Sequence, residues 1–83
     1  MHNYDTAIGL DPEDAEVYYN RGRAYSKLGE YERAIYDYNE AIRLRRENAD
    51  AYTMRGVAYA NLGQDERAIQ DYDTAIRLSL IHI

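Results

Sequence analysis

Arg21 precedes Asp37 by 16 residues, and Arg55 precedes Asp71 by the same 16. A guanidinium presents a planar fork of donors that matches a carboxylate. A pair repeated at one fixed spacing therefore points to an ion pair joining two separate elements, partly covered by the tyrosines beside it. Such a pair sets orientation more than it adds stability. No other spacing points to a reaction. His2 and His82 stand at opposite ends of the chain and read as exposed terminal residues. Ser26 and Ser79 have no histidine or lysine arranged to activate them. The glycines are single rather than gathered in a phosphate loop. The remaining carboxylates fit helix starts and solvated faces. The sequence thus implies no catalytic residue, no metal and no cofactor, and a protein that is not an enzyme.

Composition narrows the partners. The 83 residues carry 15 acids against 10 bases, a formal charge of −5. Nucleic-acid affinity comes mainly from cations that neutralise phosphates, so a nucleic-acid partner is disfavoured. The longest uncharged stretch, residues 56–64, and the last six residues are both too short to cross a membrane. The first twenty lack a basic-then-apolar signal pattern. Cysteine is absent, which removes disulfides and thiolate sites and fits a cytoplasmic location. Ten tyrosines stand beside no Phe and no Trp. A tyrosine ring fills a core and leaves its hydroxyl wet, which suits a thin structure.

The elements that position these residues follow from a repeat. YDTAI occurs at 4–8 and again at 72–76, with YNEAI at 38–42. Residues 15–48 align with 49–82 without a gap, 18 of 34 positions being identical, and 3–14 align with 37–48. A period of this size indicates a solenoid whose units pack on their neighbours. Each unit contains two helical patterns. Tyr18, Gly22 and Tyr25 share one face, and Leu28 meets Gly29, a helix stop. Ala34, Tyr38 and Ala41 form a second stripe with Ile35 and Ile42 beside it; the other unit repeats both patterns. The expected fold is all-α: an α-solenoid of antiparallel helix pairs, half a repeat followed by two whole ones. It forms a single domain over 1–83, with helices near 2–13, 15–28, 31–46, 49–62 and 65–80.

Gly22 and Gly56 occupy one position of the repeat inside a helix, where glycine costs about 1 kcal/mol against alanine. Close approach of a partner helix explains the recurrence, with small Ala34 opposite Gly22. Between the units, RRENAD at 45–50 lacks a proline, so a softer break is expected there, with Arg45 and Arg46 at the negative end of one helix and Asn48 capping the next. A continuous helix through 45–50 is the alternative; it would open the hairpin and favour swapped dimers.

The set Tyr18-x2-Arg21-Gly22-x2-Tyr25, then Ala34-x3-Tyr38 and Ala41, resembles the tetratricopeptide repeat. The likeness spans about 76 of the 83 residues, with Tyr in place of Trp and Phe. Arg21 and Arg55 depart from the leucine usual in the family. Its terminal proline is present as Pro12 but becomes Arg46 and Leu80 in the later units. The resemblance implies a concave side lined by the first helix of each unit, where an extended peptide lies. The stripe available for that role on one helix is Glu16, Tyr19, Arg23, Ser26 and Lys27, with Asn20 beside it. On the other it is Asp50, Thr53, Val57, Ala60 and Asn61. The two units diverge most at these positions, as a binding groove or any solvent face would.

Some members of the family clamp the C-terminal carboxylate of heat-shock chaperones with lysine and asparagine. Here Tyr19 and Arg23 fill two of those positions. In the frame shifted by one unit Asn20 fits, but Asp50 and Met54 stand where cations are required. Asp50 would repel a carboxylate, which disfavours a chaperone-tail adaptor. Arg23 with Lys27 could meet an acidic segment. The expected function is a protein-interaction scaffold. The alternative is a structural spacer or self-associating segment of a longer array. An RNA-binding pentatricopeptide array has a similar period, and the acidic charge argues against it.

The sequence starts at the second helix of a unit and ends in SLIHI (79–83), which is atypical of the repeat. Ala68 and Ala75 are expected on a face that would receive a further helix, so end-to-end stacking or a helix-swapped dimer is expected. Alternatively, Leu80, Ile81 and Ile83 cover that face.

Overall fold

Leu28 and Leu62 each close a helix in the same way. The next residue, Gly29 or Gly63, takes φ of 79°, a left-handed conformation open to glycine at no steric cost. The turn is then pinned by Glu30 N–H to the Tyr25 carbonyl at 2.9 Å, and by Gln64 N–H to the Tyr59 carbonyl at 2.9 Å. These bonds satisfy carbonyls that the helix end leaves open. Two of the helix starts are fixed by side chains. Asp14 Oδ1 accepts from Glu16 N–H at 3.1 Å, and Asn48 Oδ1 accepts from Ala51 N–H at 3.1 Å.

The computed structural model describes residues 2–81, apart from the His2 side chain. It contains α1 (His2–Leu10), α2 (Ala15–Lys27), α3 (Tyr31–Leu44), α4 (Ala49–Asn61) and α5 (Asp65–Ile81). No strand occurs among the described residues. The helices pack in sequence order, α1 on α2, α2 on α3, α3 on α4 and α4 on α5. The result is the expected all-α solenoid, 33 × 30 × 15 Å. Its short dimension is close to one helix diameter of about 10–12 Å, so little of the molecule is deep interior.

Small residues set how closely the helices approach. Ala34, Ala41, Ala51 and Ala58 are fully buried at the α3–α4 contact, and Tyr38 is the largest fully buried side chain. Ile8 and Ile42 pack beside Tyr18, Ala41 and Ala51, while Ile35 and Met54 pack beside Tyr38 and Ala58.

Several sequence expectations need correction. Helix α1 stops at Leu10, three residues before the expected 13. Pro12 lacks an N–H and restricts Asp11 to extended conformations, which ends the helix early. Helix α3 stops at Leu44, two residues before 46, and Arg45 is extended at φ −143° and ψ 93°. The break at 45–50 is therefore complete, because the Asn48 cap fixes the next start without a proline. Gly22 does admit the partner helix closely, and the nearest atoms belong to the Tyr38 ring: a β-carbon there would lie 2.7 Å from Tyr38 Cε1. Ala68 and Ala75 are buried; the apolar residues that α5 leaves open are Ile69 and Ile76, 58% and 57% exposed. Leu80 and Ile81 are exposed as well and cover no end of the solenoid. His82 and Ile83 lie outside the described residues, as does the side chain of His2.

Candidate functional site

Arg21 and Arg55 hold the helices at fixed angles. Arg21 donates from Nε and Nη2 to both carboxylate oxygens of Asp37, at 2.8 and 2.7 Å. Arg55 does the same to Asp71, at 2.9 and 2.7 Å. Both acids are buried. Tyr18 and Tyr25 flank Arg21, and Tyr52 and Tyr59 flank Arg55, with the guanidinium carbons 5.2–5.9 Å from the ring centroids. The hydrogen bonds to Asp37 and Asp71 push both arginine pKa values up despite burial.

The third donor of each fork reaches back to the preceding helix. Arg21 Nη1 meets Asp5 Oδ1 at 2.8 Å, and Arg55 Nη1 meets Asn39 Oδ1 at 2.8 Å. Sequence reading missed these two contacts. The signal was present, since Asp5 precedes Arg21 by 16 residues and Asn39 precedes Arg55 by 16. Each arginine thus ties three helices: α1–α2–α3 in one case, α3–α4–α5 in the other.

This frame presents α2 and α4 side by side. Glu16, Tyr19 and Asn20 of α2 and Asp50 of α4 line one cleft of about 240 Å³ together with Ala15, Arg45 and Asn48. Four of the eleven groove candidates therefore come together, and Arg45, which the sequence suggested only as a helix-end charge, joins them. The others are placed differently. Arg23 lies over the Tyr19 ring at 5.8 Å. Ser26 Oγ is bonded to Tyr38 Oη at 3.2 Å. Thr53 donates to its own helix at the Ala49 carbonyl, and Asn61 at the Val57 carbonyl. Thr53 also borders a separate, mostly apolar cleft of about 380 Å³ with Tyr72, Ala75, Ile76 and Leu80. Lys27, Val57 and Ala60 are exposed outside both clefts.

Tyr19 and Tyr38 lie 6.0 Å apart, ring to ring, at 50°. Burial raises the Tyr19 pKa, Asp50 raises it further and Arg23 opposes. Burial also raises that of Tyr38, with the Ser26 hydrogen bond opposing. A raised phenol pKa means that the unfolded chain loses its proton first. The associated stability is complete below the unfolded value of about 10 and is lost as pH rises from there through the raised folded values. Thermal melts should hold steady up to about pH 9.5 and fall above about 10. Tyr19→Phe should flatten that alkaline fall, whereas an unchanged slope would place its origin elsewhere.

Among the described residues no helix is long and apolar enough to cross a membrane. A search of curated proteins finds no match. Solved structures do match. The chain superposes on MamA with a TM-score of 0.92 at 28% identity, over 95% of this chain and 46% of that one. It superposes on the second TPR of Spaghetti (RPAP3), bound to HSP90 peptide SRMEEVD, with a TM-score of 0.88 at 36% identity, over 90% of this chain and 69% of that one. The first TPR of Spaghetti, bound to the same peptide, gives 0.88 at 33% identity, over 90% and 60%. The chain thus spans less than half the length of MamA. The family model described as TPR repeat matches residues 22–63, and two described as tetratricopeptide repeat match 3–36 and 49–79. With the helix hairpins, the glycine–tyrosine contacts and the period already in view, these matches establish that the chain belongs to the tetratricopeptide repeat family.

Proposed function

We propose that this chain is a protein-interaction module that holds an extended peptide or partner segment in the cleft between α2 and α4. One observation carries the reading. Asn20 is half-buried and lines the cleft, and among the described residues its side-chain amide has no hydrogen-bond partner, so it stays open to a ligand. An amide offers both donor and acceptor, the complement of a peptide backbone, which can replace the water on it. Glu16, Asp50 and Arg45 in its lining give the cleft mixed charge.

The two Spaghetti domains support the peptide reading, being described as bound to the HSP90 peptide SRMEEVD. The charge of this cleft argues for a different sequence. Glu16 and Asp50 disfavour an acidic tail, since like charges across an interface select against a partner. The preferred segment is neutral or basic where it meets Asp50, with its backbone on Asn20.

A peptide array probed with the 83-residue chain tests this. Captured peptides should be poor in acids at one position, and Asn20→Ala should weaken them while helicity by circular dichroism stays intact. SRMEEVD should bind weakly to the native chain, and Asp50→Lys should tighten it roughly tenfold by exchanging repulsion for attraction. A spacer without a ligand of its own would capture no peptide, and Asp50→Lys would gain nothing.

A further inference from the structure

α1 and α5 carry the same five residues, YDTAI, at 4–8 and 72–76. In α1 those residues are in use. Asp5 binds Arg21 Nη1 at 2.8 Å, and Ile8 packs beside Tyr18. In α5 the two corresponding residues are not. Among the described residues Asp73 has no partner, and Ile76 is 57% exposed next to the apolar cleft of Tyr72 and Ala75. The face of α5 is thus a second copy of the surface that α2 already accepts.

That face also fits α2 at a further position. At the α3–α4 contact, Ala58 is fully buried with Ala34 and Ile35 packed in the same cluster. Ala24 holds the equivalent position on α2, yet it is only half-buried. α5 carries Ala68 and Ile69 at the repeat positions of Ala34 and Ile35. Helix α1 has 9 residues with Gly9 in its last turn; α5 has 17 and is held by α4. Glycine within so short a helix weakens it.

We infer that α5 of one copy displaces α1 from α2 of a second copy, Asp73 replacing Asp5 on Arg21, Ile76 replacing Ile8 beside Tyr18, and Ile69 covering Ala24. The contact is heterologous, head to tail, so it extends into chains rather than closing a two-fold dimer. The peptide cleft is built from different residues, and this association does not depend on it. Helix α1 is tethered through residues 11–14, which sets it competing at an effective concentration of about 1 mM.

The test is light scattering together with hydrogen exchange on the 83-residue chain from low micromolar concentration to about 1 mM. Mass should rise past that of a dimer, and α1 amides should lose protection as it does. Asp5→Ala weakens only the competing helix, so assembly should begin at roughly two- to fivefold lower concentration, the worth of an exposed ion pair. Ile76→Glu and Ile69→Glu alter residues exposed in the monomer, and each should keep the chain monomeric with unchanged helicity. Three results would overturn the inference: a monomer throughout in both the native chain and Asp5→Ala, assembly that leaves α1 protected, or assembly indifferent to both glutamates.

Discussion

Asp71→Ala should lower the unfolding free energy by about 3–4 kcal/mol, and Asp37→Ala by about 1 kcal/mol less. Each acid is buried and receives two charge-assisted hydrogen bonds from one arginine. Removing it leaves a guanidinium, 16% exposed for Arg21 and 20% for Arg55, without its main counter-charge. The order follows from what remains. Arg21 keeps the Asp5 carboxylate at 2.8 Å, whereas Arg55 keeps only the neutral oxygen of Asn39. A chain of this size has roughly 4–12 kcal/mol of total stability, so Asp71→Ala should leave it near the edge of folding. Urea unfolding followed by circular dichroism measures both values. Adding Asn39→Asp to Asp71→Ala should restore part of the loss by returning a carboxylate to Arg55. Equal costs at the two acids, or no rescue by Asn39→Asp, would show that the back-reaching bond carries no weight. Replacing Arg55 and Asp71 together by apolar residues should be milder than Asp71→Ala alone, because no unpaired charge is then buried.

The frame was legible in the sequence because it repeats. Within the 34-residue period a leucine–glycine stop and an arginine–aspartate spacing of 16 each occur twice, and every one corresponds to an observed turn or bond. What escaped was set by neighbours in space. Arg45 looked like a helix-end charge, yet the break after Leu44 turns it into the wall of the α2–α4 cleft. Ser26 and Thr53 looked available for a ligand on one face. Ser26 is instead bonded to Tyr38, and Thr53 to the backbone of its own helix. The contacts of Asp5 and Asn39 obey the same spacing as the stronger pairs, but they join different units and so lay outside a reading made one unit at a time. Ala68 and Ala75 were assigned to the open face because helix periodicity alone does not say which of two apolar stripes meets the preceding helix. In α5 that stripe is the alanine one, leaving Ile69 and Ile76 to solvent.

Gly22→Ala should destabilise the chain although alanine is the better helix former, and Gly9→Ala should stabilise it. Both sites are in helices, where the exchange is worth about 1 kcal/mol in favour of alanine. A β-carbon on Gly9 meets nothing within 4 Å, so the gain there is realised. One on Gly22 would meet Tyr38 Cε1 at 2.7 Å, Cδ1 at 2.9 Å and Cζ at 3.1 Å. That ring is fully buried and its hydroxyl is tied to Ser26, so it has nowhere to rotate. Overpacking of this kind costs about 1–3 kcal/mol, and against a ring that cannot turn away it exceeds the propensity gain, leaving a net loss of up to about 2 kcal/mol. Gly22→Val adds two methyl groups at the same contact and should cost about 3 kcal/mol or more. Gly56 offers a second instance with a different obstacle: its β-carbon would meet Tyr72 at 2.7 Å and the Ala68 carbonyl at 3.2 Å. Tyr72 is only half-buried and can yield, but the Ala68 backbone cannot without moving α5. Gly56→Ala should therefore also destabilise. A double-mutant cycle isolates the cause. Tyr38→Leu shrinks the ring to a branched chain, so it should cost less in the Gly22→Ala background than in the native one. Additive costs would mean that the glycine and the ring do not meet, and a gain in stability from Gly22→Ala would remove close helix approach as the reason for glycine at that position of the repeat.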